Sequence, residues 1–147
     1  MIPLAYFGAR LSVIDFKSHR LPNRLVGWFT ATEILIMAVI SWMASDFARL
    51  LTVLGVAAAT MICYVLLYQV SRGSLGMGDV KFAFPLGLCV GWYSANQWLV
   101  AIFVSFLIAG LVAVIGLVTK RMTRKSRLAF GPYMFLGTFL ICVFEVL

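Results

Sequence analysis

Charge is scarce in this sequence, and negative charge is scarcer still: Asp and Glu number 5 against 12 Lys and Arg, and charged residues make up only 12% of the chain. So little charge excludes an ordinary soluble domain, in which about a quarter of the residues are Asp, Glu, Lys or Arg. Histidine occurs once, at His19. That rules out a His-Glu-x-x-His metalloprotease, and His19 has no nearby Ser or Cys of evident activation. Cys63, Cys89 and Cys142 are widely spaced, giving neither a disulfide framework nor the paired spacing of a zinc site. The alternation of a membrane β-barrel strand is also missing.

What is present is apolar. Hydrophobic residues form 63% of the chain and mean hydropathy is +1.05, which reads as a membrane protein. The 147 residues accommodate about six spans of about 20 residues each and leave no room for a separate soluble domain. Apolar runs predict spans near 1–14, 25–43, 48–70, 80–95, 97–119 and 129–147. They must be helical, because a backbone in lipid has to satisfy its polar groups within its own segment. The expected fold class is therefore an all-α polytopic membrane protein, six transmembrane helices in one bundle, with 1–147 as a single domain. The first run is short, about 21 Å against a hydrocarbon core of about 30 Å. No Lys or Arg precedes it and it lacks an Ala-x-Ala cleavage site, so it reads as a helix of the mature protein and not as a signal peptide.

The basic residues predict the topology. Ten of the 12 fall in three alternate connections: Lys17, Arg20 and Arg24; Arg72 and Lys81; Lys120, Arg121, Arg124, Lys125 and Arg127. Lys and Arg collect in cytoplasmic loops, so these three connections are expected on the cytoplasmic face. The net charge of +7 is then a topology signal, with membrane phosphates and not nucleic acid as the partner.

Two of the few acids lie on that face. Asp15, in Ile14-Asp15-Phe16, ends the first run, and Asp79, in Gly76-Met77-Gly78-Asp79-Val80-Lys81, precedes the fourth. Taken alone, Asp79 reads equally well as the cap of a helix beginning at Val80, and Asp15 as an interfacial acid balanced by Lys17 and Arg20. Taken together, they can do acid–base chemistry without a metal or cofactor: one carboxyl takes a proton from water while the other gives one to the scissile amide. The end of its own helix disfavours charge on Asp15 and the start of the next favours it on Asp79, so Asp15 is expected to be the more readily protonated partner.

The surrounding residues read as support. Gly76 and Gly78 permit positive φ or close approach. Lys81 either orients a carbonyl or anchors its helix to headgroups. Gly131 allows close approach, and Pro132 suits the first turn of the last helix. Asn23 either caps the second span or bonds near Asp15. Arg10 and Glu33 are charges at membrane depth and are expected to form a structural ion pair. Gly87-x-x-x-Gly91 and Gly55-x-x-x-Ala59 are candidate close-packing faces, within the chain or between two copies in a homodimer.

Three segments carry a family resemblance: Asp15 followed by Leu21-Pro22-Asn23 after a basic stretch, Gly76-Met77-Gly78-Asp79-Val80-Lys81, and Phe130-Gly131-Pro132 opening the last span. In this order the chain resembles the type IV prepilin peptidases, membrane aspartic proteases of the GxGD kind. The resemblance implies removal of the short basic leader of pilin-like precursors at the cytoplasmic face of a prokaryotic inner membrane. It matches Asp15 and Asp79 to the two catalytic aspartates. Larger members carry a cytoplasmic domain with paired metal-binding cysteines between the first two spans, and many also methylate the new amino terminus. This chain has about ten residues there and resembles the short form without the cysteine-rich or methylase part. Two other classes stay open: a small ion-coupled transporter, which the lack of an evident inverted repeat counts against, and an inactive pilus-assembly partner.

Overall fold

The computed structural model describes residues 1–71, 75–120 and 128–147. Among these residues six α-helices follow one another: α1 Ile2–Ser18, α2 Asn23–Met43, α3 Phe47–Val70, α4 Met77–Ser94, α5 Trp98–Val118 and α6 Gly131–Phe144, with a 3₁₀ turn at Ala95–Gln97 between α4 and α5. No strand occurs among the described residues. Of the basic residues used for topology, Arg72, Arg121, Arg124, Lys125 and Arg127 lie outside the described residues.

Local chemistry sets the helix ends. Pro3 stands in the first turn of α1, where its missing N–H costs nothing. The helix ends at His19, whose N–H still makes the helical bond to the carbonyl of Asp15 at 2.8 Å and whose left-handed φ of 51° turns the following chain out of the helix. Asp15 thus lies inside the last turn of α1, because the helix runs to Ser18, four residues beyond the expected limit of 14. At α3, the Asp46 side chain accepts from the Arg49 N–H at 3.0 Å, a conventional N-cap.

Three segments are long and apolar enough to cross a membrane: Asn23–Met43, Phe47–Val70 and Met77–Val118. The last contains both α4 and α5. At 17 and 14 residues, α1 and α6 are shorter, about 26 and 21 Å at 1.5 Å per residue.

α4 is the centre of the bundle. It packs most extensively on α3 and also touches α2, α5 and α6. From Phe82 to Gly91 all of its residues except Phe84 are buried, including Pro85. A helix apolar all round belongs in such a position. Gly87 and Gly91 make the α3 contact: a Cβ on Gly87 would lie 2.8 Å from Ala57 Cα, and one on Gly91 3.1 Å from Val53 Cα. The other small-residue motif is not used in this way. A Cβ on Gly55 would meet nothing within 4 Å, because α3 turns Val53, Ala57, Thr60 and Tyr64 inward.

α1 and α4 make hardly any direct contact. Both pack on α2 and both on α6, so these two helices fix how the acids on α1 and α4 face each other. At the opposite end, the Arg49 guanidinium lies 4.2 Å from the centre of the Trp92 ring and donates to the Trp92 carbonyl at 3.0 Å.

Candidate active site

Leu4, Gly8, Leu11 and Asp15 form the buried stripe of α1. Spacings of four, three and four residues put them on one helix face, so Asp15 enters the bundle as the last member of an apolar series. Its Oδ2 accepts from the Gly131 N–H at 2.9 Å, a buried contact between residues 116 apart in sequence. Phe130, the N-cap residue of α6, supplies no side-chain acceptor. Asp15 supplies one from another helix, serving one of the amides that every helix start leaves unpaired. A Cβ on Gly131 would stand 2.9 Å from Asp15 Oδ2, so close approach is the reason for glycine here. Pro132 occupies the first turn of α6, as expected.

Asp79 is not the residue before its helix. α4 begins at Met77 with Gly76 as N-cap, and Asp79 is its third residue. Its Oδ2 accepts from the Gly76 N–H at 3.0 Å. This is one half of a capping box, since Gly76 has no side chain to reciprocate. Gly76 has φ −77° and Gly78 lies within the helix, so neither needs the left-handed region. Proximity is what they provide: a Cβ on Gly78 would meet Leu21 Cβ at 3.2 Å, and one on Gly76 would meet Asp79 Oδ2 at 3.1 Å. Leu21, in the turn after Asp15, thereby rests on the start of α4. The motif contained Leu21, but nothing in the sequence marked it as the contact.

Asp15 and Asp79 are both buried and close enough for their charges to interact. Each is bonded through Oδ2 to a backbone amide at a helix start, Asp15 at α6 and Asp79 at α4. The expected division of labour considered only the helix that carries each acid. With the N-terminus of α6 facing Asp15, that asymmetry loses its basis.

Other expected roles are redistributed. Lys81 is exposed and its Nζ donates to Asn23 Oδ1 at 3.1 Å, joining the second turn of α4 to the first residue of α2. Asn23 is therefore the acceptor for Lys81 and not a cap, the cap position being Pro22. The Arg10–Glu33 ion pair is not formed. Arg10 is exposed and donates to the Tyr6 hydroxyl one turn away at 2.8 Å, while Glu33 is buried and its Oε1 lies 3.5 Å from Cys89 Sγ. Arg10 can snorkel outward on its long stem, whereas the inner face of α2 carries Glu33 into the core. Among the described residues no three His, Cys, Asp or Glu side chains gather where a metal ion could be held.

Tyr64 went unnoticed in the sequence. It is buried on α3, stacks on Phe106 with ring centres 6.1 Å apart, and lies 6.3 Å from Phe130, the residue before Gly131. Its inward stripe was legible only as core.

The profile of the type IV leader peptidase family matches residues 2–144, and the chain belongs to that family. It is similar to a Bacillus subtilis (strain 168) protein described as "Prepilin leader peptidase/N-methyltransferase", with 28% identity over 133 residues, 88% of this chain and 49% of the relative. The chain spans about half the length of that curated relative. No solved structure matches.

Proposed function

We propose that this chain is an aspartic endopeptidase that removes the basic leader of type IV pilin-like precursors at the cytoplasmic face of a prokaryotic inner membrane. The observation that supports the reading is that Asp15 of α1 and Asp79 of α4 are both buried and each is bonded through one oxygen to a backbone amide at a helix start. The second oxygen of each is then the proton-transfer atom. One carboxylate takes a proton from water as its oxygen adds to the scissile carbonyl. The other carboxyl, protonated, gives its proton first toward the carbonyl oxygen, and the C–N bond breaks as the amine leaves with a proton. Two like charges in a poorly solvated site resist joint ionisation, which suits a pair sharing one proton.

Family membership supports the leader-peptide substrate class, and the apolar segments support a membrane setting. In this reading all six helices cross the bilayer, with α1 and α6 in locally thinned lipid. The basic residues near Asp15 and Asp79 face cytoplasmic headgroups, and the chain needs no methylase part for cleavage. Single copies suffice for the chemistry, and pairing into a homodimer would use the outward face of α3 around Gly55.

The test is cleavage by the purified protein in lipid vesicles of a precursor with a basic leader and an apolar helix, read by the mass of both products. Two peptides whose masses sum to the precursor plus one water support the proposal. A folded protein that leaves the precursor intact but conducts ions overturns it in favour of a transporter.

Glu33 stands outside this chemistry. Its neighbour Cys89 is ten residues beyond Asp79, about 15 Å along α4. Gln in place of Glu33 keeps an acceptor for the thiol, so the cleavage rate of Glu33→Gln is expected within about twofold of the parent. Loss of cleavage at unchanged protein level would make Glu33 part of a proton path.

A further inference from the structure

The peptide that joins Phe130 to Gly131 is held from both sides. Its carbonyl oxygen accepts from the N–H of Tyr133 at 3.0 Å and from that of Met134 at 3.2 Å, and its N–H donates to Asp15 Oδ2 at 2.9 Å. A peptide unit is planar, so the first turn of α6 sets its direction, and the aim of the N–H depends on where that turn sits. The chemistry above needs this aim without naming what fixes it.

α5 and α3 supply the seat. Along α6, Gly137 packs on α5, where an added Cβ would stand 2.9 Å from the Ala101 carbonyl oxygen. Six residues earlier, about 9 Å along the axis, no capping side chain defines the helix start. The anchor there is the Phe130 ring, whose centre lies 4.6 Å from that of Phe106 on α5 and 6.3 Å from that of Tyr64 on α3. Tyr64 and Phe106 stack on each other at 6.1 Å, so the three rings close a triangle in which each side falls within the favoured range of about 4.5–7 Å. Tyr64 is buried and Phe130 half-buried, and a ring placed between two others has few positions open to it.

We propose that Phe130 is a positioning residue: its ring, seated on Phe106 and Tyr64, fixes the start of α6 so that the Gly131 N–H holds the Asp15 carboxyl. The inference rests on the peptidase reading above. Phe130 itself touches neither the attacked carbonyl nor the water; it acts through one amide.

Phe130→Leu keeps an apolar side chain and removes the ring. Leader removal by this variant in vesicles is expected to show kcat lower by about 10- to 100-fold at unchanged KM, while Phe130→Tyr, which keeps the ring, stays within about threefold of the parent. Because Gly131→Ala already disengages the same amide from Asp15, adding Phe130→Leu to it is expected to cost less than about twofold more. A ring that served stability alone would not give this loss of additivity. A parental kcat in folded Phe130→Leu overturns the proposal, as do factors that multiply in the double variant. A raised KM at unchanged kcat also overturns it and makes the ring a contact for the precursor. If Phe130→Leu unfolds early, Phe106→Leu decides, since it removes the 4.6 Å neighbour: a lowered kcat at constant KM supports the seat and a parental kcat overturns it. Hydrogen exchange of the Gly131 amide, measured without precursor, is expected to be faster by about tenfold or more in the Leu variant that folds, and an unchanged exchange rate overturns the proposal. Full cleavage by Asp15→Asn would instead sink the peptidase reading, and the exchange measurement would still decide the positioning.

Discussion

Asn in place of either Asp15 or Asp79 is expected to lower the rate of leader removal by about 10³-fold or more while leaving the fold intact. The two parts of this expectation have different origins. Asn retains a side-chain carbonyl oxygen at the position of a carboxylate oxygen, so the Gly131 N–H can still donate to residue 15 and the Gly76 N–H to residue 79, as they do at 2.9 and 3.0 Å. The helix starts stay served, and α1 remains docked on α6. What Asn cannot do is accept a proton from water or deliver one to an amide. A positioned acid or base is worth about 10²- to 10⁴-fold, and neither aspartate has a titratable substitute in the motif. Groups that act as a unit are also non-additive, so the double variant should be no slower than the slower single one. The measurement is product formation against time by mass spectrometry, alongside the helical circular dichroism and thermal unfolding of each protein. Either single variant retaining more than about a tenth of the parental rate would break the proposed pairing.

Much of this arrangement was legible in the sequence, and the parts that were not share a physical cause. Helix number and approximate limits follow from apolar runs, because lipid demands long, internally bonded segments. Asp15 and Asp79 were marked by being acids at the edges of such runs, beside glycines and basic residues. Rotation of each helix about its axis was not marked. In a soluble helix the polar face fixes that rotation, but α3 and α4 are apolar nearly all round, so Gly55 and Gly87 read alike in sequence. Only the second is buried against a neighbour, while the first meets nothing. The same ambiguity hid the inward turn of Glu33 to Cys89 and of Tyr64 to Phe106 and Phe130. Long side chains hid the rest. Arg10 and Lys81 have several partners within reach of their stems, and helix spacing alone does not choose Tyr6 or Asn23 for them. The contact of Asp15 with Gly131 joins the two ends of the chain, and no local pattern records it.

That contact gives the second large effect: Gly131→Ala is expected to lower leader removal by about 10²-fold while shifting thermal unfolding by no more than a few degrees. The added Cβ would stand 2.9 Å from Asp15 Oδ2 and 3.3 Å from both Cβ and Cγ of Asp15. These are contacts with a side chain, so the crowding can be relieved by turning the Asp15 carboxyl away. Turning it breaks the bond to the Gly131 N–H and takes the acid out of register with Asp79. The cost therefore falls on catalysis. Stability should change little, because residue 131 sits in the first turn of α6 and Ala suits a helix better than Gly by up to about 1 kcal/mol. A crowded glycine remote from the acids marks the difference. At Gly87 the added Cβ would meet backbone, Ala57 Cα at 2.8 Å, so two helices must part and the cost, about 1–3 kcal/mol, goes to folding. Comparing kcat with unfolding temperature for Gly131→Ala distinguishes the two situations. A stable variant with the parental rate would show that the Asp15 carboxyl need not be held by α6, whereas a stable, slow one ties the chemistry at α1 to the start of the last helix.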